Sequence, residues 1–226
     1  MIRGILAVWS DITPEAAAEY DRWYEEEHMF ERLVVDGFHG ARHYCTVSGQ
    51  QMFFTYFITD NAAVMQSPGY FHSTDNTSAW SRRIQPHFRN TNRTAYNVIR
   101  RIGWGYGAAA MTIRMEPANG CEDALVRWLG QDQFPALLKR PGIIGLQIWK
   151  ADMEATRRKV LDEKTRGQDR TSGLTVFIEA TGMAALEELE NGPLSVENIV
   201  AHGAVSPVIS RHQLMNFGEK AFLSDI

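Results

Sequence analysis

The chain repeats itself. Residues Tyr20 to Tyr44, YDRWYEEEHMFERLVVDGFHGARHY, lie without a gap over Leu125 to Trp149, LVRWLGQDQFPALLKRPGIIGLQIW. In that register Arg22 meets Arg127, Trp23 meets Trp128, Leu33 meets Leu138, Gly37 meets Gly142 and Gly40 meets Gly145. Each copy reads as a helix, a glycine turn and the start of a strand, because glycine accepts the left-handed backbone that stops a helix. A chain duplicated in this way is confined to folds built from two like units. The copies differ in chemistry: Glu27 meets Asp132, but His28 meets Gln133, Glu31 meets Ala136, Arg32 meets Leu137 and His43 meets Ile148. The titratable groups sit in the first copy, so one site is expected, in the first half.

The order of elements supports the division. Residues 2–9, IRGILAVW, form a β-type run, and Thr13-Pro14 offers an N-cap and a first-turn proline for a helix running to about Leu33. Strands are expected from ARHYCTV after Gly40, from MFFTYFIT at 52–59 and from TNRTAYNVIRR at 91–101. Between the last two lie short helices broken at Pro68-Gly69. The second half repeats this order: a strand at 108–115, a helix from about Cys121 to Lys139, strands at 146–150 and 174–181, a helix at 183–190 and a final strand near 204–212. The pattern is βαββαβ twice, with repeats at 1–103 and 104–217, a tail at 218–226, and GWGYG at 103–107 as the joint. A charged insertion at 153–172, expected as a solvated helix and loop, separates the middle strands of the second repeat. A βαββαβ sheet carries its helices on one face and must bury the other. The expected architecture is therefore α+β: two tandem ferredoxin-like repeats packed sheet to sheet as one α/β barrel, with a small-molecule cavity between the sheets.

Composition excludes several classes. With 226 residues, 44% hydrophobic and 22% charged, the chain has the makeup of a globular protein, and a formal net charge of -4 argues against nucleic-acid partners. The N-terminal apolar run ends at Trp9-Ser10-Asp11, too soon for a signal sequence or membrane span, so the expectation is a cytoplasmic protein with no membrane partner. Cys45 and Cys121 occupy non-equivalent places and form no CxxC pair. The glycines of GWGYG lack the strand, turn and helix of a dinucleotide fingerprint. No GxSxG or Walker signature occurs.

The first helix carries Trp23-Tyr24, Glu27-His28 and Glu31-Arg32-Leu33, followed by Gly37-Phe38. This W-Y-x-x-E-H, E-R-L and glycine-turn pattern resembles the EthD-like proteins of the dimeric α/β-barrel superfamily, closely in the first half and by fold pattern in the second. The resemblance implies the barrel fold and a range of activities: cofactor-free monooxygenases, lactone isomerases, polyketide cyclases, dehydrohalogenase-like lyases and haem enzymes, alongside members with no established activity. Fold analogy does not choose among them. The duplication supplies within one chain the barrel that such relatives make from two, so a homodimer is allowed and not required.

On a helical wheel Tyr20, Trp23, Tyr24, Glu27, Phe30, Glu31 and Val34 share one face, setting two carboxylates in an aromatic stripe. Desolvation raises a carboxyl pKa, which is how an acid or base is poised near neutrality; pairing with Arg32, Arg42 or an arginine of 82–93 in helix-end salt bridges is the plainer alternative. His28 stands one turn from Tyr24, Glu31 and Arg32, where Glu31 can orient its ring. Alternation sends Arg42 and His43 to opposite faces of their strand. The expected roles are His28 as acid or base, Glu31 or Glu27 as its orienting partner, and Tyr24 and His43 as hydrogen-bond donors to a developing oxyanion. Trp23, Arg83, His87 and Arg89 would hold the substrate. The spacing of His28, His39 and His43 matches no zinc pattern, and none of the seven histidines carries a haem motif, so neither metal nor cofactor is expected. The resulting expectation is a cofactor-independent lyase or isomerase acting by proton transfer on a hydrophobic or aromatic carbonyl or carboxylate. A non-catalytic binding protein and a cofactor-free monooxygenase are the alternatives.

Overall fold

The last strand of each repeat is long enough to serve two sheets, and this closes the fold. The structure, a computed structural model, describes residues 3–157 and 169–225. Its strands are β1 (Gly4–Ile12), β2 (Phe38–Ser48), β3 (Phe53–Thr59), β4 (Phe88–Gly103), β5 (Ala109–Pro117), β6 (Ile143–Ala151), β7 (Leu174–Ala180) and β8 (Ala204–Glu219). They form a closed antiparallel barrel in the order β1-β3-β2-β8-β5-β7-β6-β4. Residues 88–97 of β4 pair with β1 and residues 96–103 with β6. Residues 204–213 of β8 pair with β5 and residues 211–219 with β2. The two repeats thus contribute β4-β1-β3-β2 and β8-β5-β7-β6, joined at two seams, and no sheet edge is left exposed. The final strand runs to Glu219, beyond the expected end near His212, because Gly40 pairs with Glu219 across the β2–β8 seam.

The helices lie outside the barrel. Helix α1 is continuous through Pro14–Ala16, Ala17–Trp23, Tyr24–His28 and Met29–Leu33. It is followed in the first repeat by α2 (Pro68–Asp75) and α3 (Ala79–Ile84). In the second repeat α4 runs through Glu122–Arg127, Trp128–Gln133 and Phe134–Leu137, and α5 (Met153–Thr156), α6 (Met183–Glu190) and α7 (Val196–Ala201) follow. Tyr24–His28 and Trp128–Gln133 are both π-helical, so the two copies share a widened turn at matching sequence positions, a rare feature often found at functional sites. Gly37 and Gly142 also match, with φ of 85° and 83°. At the start of α1 Pro14 takes the first position as expected, but Thr13 makes no side-chain cap; its Oγ1 lies 2.8 Å from His87 Nδ1. Pro68 opens α2 rather than breaking a helix, with the Ser67 hydroxyl accepting from the Tyr70 N–H. Of the insertion, α5 and Arg170, which bridges to Asn92, are described; residues 158–168 lie outside the described residues.

Strand alternation gives three cores. Leu6, Tyr20, Trp23, Tyr24, Phe38, Phe57 and Phe88 pack between the first-repeat helices and the outer sheet face, and Leu125, Leu129, Phe134, Ile148, Ile178 and Leu186 do so in the second. Inside the barrel stand Ile5, Ala7, Trp9, Tyr44, Phe54, Tyr56, Tyr96, Trp149 and Phe177. Rings therefore fill most of the space between the sheets where a cavity was expected. One end is plugged by Trp9, whose indole donates to Thr112 and stacks under the Arg114 guanidinium, and by His212 between Thr112 and Thr46. The other end holds an open volume of about 280 Å³.

Burial holds His43 and His212 down to about 3 and pushes Glu179 up to about 7. An unfolded histidine takes a proton near pH 6.5, so below that value the unfolded chain gains protons the folded one refuses; folded Glu179 gains one earlier than the unfolded chain does and offsets one histidine. Stability should fall by about 1.4 kcal/mol per pH unit from roughly pH 6.5 to 4.5, and about twice as steeply in Glu179→Gln. Urea midpoints across that range check both slopes; midpoints that do not change would contradict them.

Candidate active site

Helix α1 turns its aromatic face onto β1, β2 and β3, so its side chains meet the outer face of the sheet and not the barrel interior. Trp23 and Tyr24 are 2% exposed. The His28 ring stacks on Trp23 with centroids 4.0 Å apart, and its Nδ1 lies 3.4 Å from Glu31 Oε2. Ser81, at the buried start of α3, accepts from the Trp23 indole at 3.0 Å and donates to Glu31 at 3.3 Å and to Glu27 at 3.4 Å. Ser78 also donates to Glu27, at 2.5 Å. Hydroxyls and a histidine thus meet the two carboxylates where arginine salt bridges were the plainer expectation. Burial raises the Glu31 carboxyl, but His28, Arg32 and Ser81 outweigh it and leave it below its ordinary value, a carboxylate at neutral pH.

A cavity of about 60 Å³ opens beside this group. Trp23, Tyr24, His28 and Arg32 of α1 line it together with Leu6, Phe57 and Phe88 of the sheet, and Tyr70, Thr74, Thr77, Gln85 and Arg93 close it. The volume holds a few water molecules or the reacting end of a substrate. Two arginines form part of the wall. Arg93 is 3% exposed and donates to the Tyr70 hydroxyl at 2.9 Å and to the Thr156 carbonyl at 3.1 Å. Arg32 donates to Ser73 at 2.6 Å. Both guanidiniums bond to neutral oxygens; Arg93 forms no ion pair among the described residues and its charge is available to an anion in the cavity, while that of Arg32 is shared with Glu31.

The expected residues divide by place. His28, Glu31, Glu27, Tyr24 and Trp23 come together, with Trp23, Tyr24 and His28 at the cavity wall. His43 reaches the same layer but not the wall: it is 1% exposed, stacks on Tyr24 at 4.1 Å and faces Thr55 Oγ1 across 2.7 Å. Neutral and covered by a ring, it supports Tyr24 instead of meeting a substrate. Arg83 pairs with Glu19 on the surface, His87 sits between Thr13 and Glu15, and Arg89 donates to the carbonyls of Pro86 and Phe88. These three lie outside the cavity because the chain turns from α3 into β4 there. His39 pairs with Asp60 at the surface, apart from His28 and His43. Among the described residues no three of His, Cys, Asp and Glu gather as a metal-binding group. Sequence reasoning missed Tyr70, Arg32 as a wall residue and Thr156; alternation along TNRTAY, where Arg93 and Ala95 share a face, was the signal that could have singled out Arg93.

The second repeat has the same frame with different contents. Leu129 stands for Tyr24, Gln133 for His28, Leu137 for Arg32 and Ile148 for His43, and the leucines and isoleucine belong to an apolar core with Trp128 and Phe134. The fold is that of ferredoxin-like α/β barrels in tandem. No family model matches the chain, and no curated protein does. Among solved structures, an anthrone oxidase-like protein matches over 97% of this chain and 93% of its own, at 13% identity and a TM-score of 0.67. A putative monooxygenase from Lactobacillus acidophilus matches over 97% of both chains, at 9% identity and a TM-score of 0.60. Another from Fusobacterium nucleatum covers 97% of this chain and 94% of its own, at 9% identity and a TM-score of 0.58. At these identities the likeness is one of fold. None of the described helices is long and apolar enough to cross a membrane.

Ser81 ties Trp23 to both carboxylates from a position 1% exposed. Ser81→Ala should cost about 1–3 kcal/mol of stability by leaving the indole N–H without its acceptor. Urea denaturation followed by tryptophan fluorescence measures this, and an unchanged midpoint would contradict the arrangement.

Proposed function

We propose that the chain is an enzyme needing no cofactor, which removes a proton from an enolisable ketone or phenol presented to the first-repeat cavity. The observation that carries this reading is the His28–Glu31 pair at a small, ring-lined cavity whose wall also holds Arg93, Tyr70 and Arg32. His28 takes the proton; Glu31, ionised, fixes the ring and stabilises the imidazolium that forms. The electron pair moves onto the substrate oxygen, where Arg93, Tyr70 and Arg32 offset the new charge. Returning the proton to another atom completes an isomerisation, and expelling a leaving group completes an elimination. The EthD-like character of the W-Y-x-x-E-H helix belongs to the same proposal, since that helix supplies the base.

The monooxygenases and the anthrone oxidase-like protein among the similar structures favour a second outcome for the same base. A substrate carbanion or phenolate formed there would react with dioxygen as the oxidant, one oxygen atom entering the product as a carbonyl and the other leaving as water with the two hydrogens lost by the substrate, and the chain would be a cofactor-free monooxygenase. Proton abstraction is common to both.

The test is deuterium exchange into a panel of aryl ketones and phenols in D2O, followed by NMR, with an oxygen electrode in parallel. His28→Ala should lower exchange by about 10²-fold or more and Glu31→Gln by a smaller factor. Oxygen uptake with a hit selects the oxygenase outcome. A compound that binds and returns without exchange, or full exchange in both variants, would overturn the reading.

A further inference from the structure

Alternation along β2 places His43 in the helix–sheet layer and Arg42 on the opposite face, inside the barrel, and the open barrel end is built around that arginine. Arg42 is 3% exposed. Its guanidinium lies between the rings of Tyr106, at 4.3 Å, and Phe217, at 4.8 Å, and donates to Glu219 at 3.0 Å. Beside it Glu179, 2% exposed, accepts from the Tyr56 hydroxyl at 3.2 Å. The Gly107 backbone amide favours the ionised form of Glu179.

The GWGYG joint makes this possible. A Cβ at Gly103 would stand 2.1 Å from the Ile144 carbonyl oxygen, one at Gly105 2.3 Å from the Ile144 side chain, and one at Gly107 2.1 Å from the Ala180 carbonyl oxygen. Only glycines let the joint press onto the ends of β6 and β7, and by doing so they bring Tyr106 over Arg42.

The space left open is about 280 Å³, lined by the apolar Ile5, Ile58 and Val98, by Tyr56 and Gln147, and by Arg3, Arg100 and Arg101. Among the described residues, Arg3 and Arg101 form no ion pair. Arg101 faces inward, since it pairs with Gln147 and its charge acts on Glu179. Glu179 offers little competition for these arginines: burial pushes it up to about 7, and one of its oxygens accepts from Tyr56. Arg3 and the inward Arg101, with Arg100 next to them at the rim, set positive charge above an apolar floor and suit a ligand with one anionic end and one apolar end.

We propose that the open end of the barrel is a second binding site, separate from the first-repeat cavity, for a small apolar monocarboxylate whose carboxylate meets Arg3 and Arg101 and whose hydrocarbon part rests on Ile5, Ile58 and Val98. The site is a product of the duplication: the joint between repeats roofs it, and its walls come from both. It requires no turnover at the other cavity and stands whether or not that cavity is catalytic.

The experiment uses benzoate as probe, with neutral benzamide as its control, followed by calorimetry and by methyl NMR of Ile5, Ile58 and Val98. Benzoate is expected to shift those methyls, and benzamide to bind at least tenfold more weakly. Arg101→Gln and Arg3→Gln, at side chains without ion pairs, should each fold normally and weaken benzoate at least tenfold, while His28→Ala leaves its affinity unchanged. The proposal is overturned if benzoate leaves the three methyls unmoved up to tens of millimolar. It is equally overturned if both arginine variants keep wild-type affinity, or if His28→Ala abolishes binding and so moves it to the other cavity.

Discussion

In a closed barrel every strand has one face toward the interior and one toward the helices, and a side chain cannot change sides without moving the register. That constraint decides what each residue of this chain can meet. β2 shows it within two residues: Arg42 enters the barrel and His43 the helix layer. Helix α1, outside the barrel, can build a site only with the outward set, Leu6, Phe57, Phe88 and Arg93. The inward set, Trp9, Phe54, Tyr56, Trp149 and Phe177, is committed to a ring-filled interior.

Closure itself depends on the length of β4 and β8. Each spends about half its residues on its own repeat and the rest on the other, so the seams are continuous with the sheets they join. The β2–β8 seam carries Arg42 and His43. Losing it would disturb both the helix-layer cavity and the open barrel end, although they lie on opposite sides of the wall. The shared π-helical turns and the matched glycines keep the two repeats alike in backbone, while their side chains have diverged. The first repeat keeps ionisable groups among rings beside a cavity; at the matching positions the second has Leu129, Leu137 and Ile148 in its core, with Gln133 in place of His28.

The duplication, the βαββαβ order and the barrel were legible because they follow from local signals: period-two strands, glycine stops and a gap-free self-match. The grouping of His28 with Glu31 was legible for the same reason, being set by helical spacing alone. The location of the cavity was not. Placing it between the sheets ignored that α1 covers the far side of the strands, so side chains on that helix cannot reach the interior. Charge density along the 82–93 segment carries no information about facing: Arg83 and His87 meet the exposed side of α1 at Glu19 and Glu15, and of the charged residues in that stretch Arg93 lines the cavity. Tyr70 and Thr156 belong to contacts across long sequence separations, which periodicity cannot report. Glu179 becomes meaningful only once β3 and β7 are known to face each other across the barrel, which brings Tyr56 to its carboxyl, and Arg42 only once β2 is known to border β3 and β8.

The central claim is that chemistry belongs to the helix–sheet layer of the first repeat and to no equivalent place in the second. Imidazole NMR with 4-nitrophenol, a phenol ionised near neutrality, tests it most directly. The account predicts that the ligand moves the His28 ring signals while the His202 ring stacked on Trp128 in the second repeat is unaffected. Movement at His202 with an unchanged His28 would contradict it.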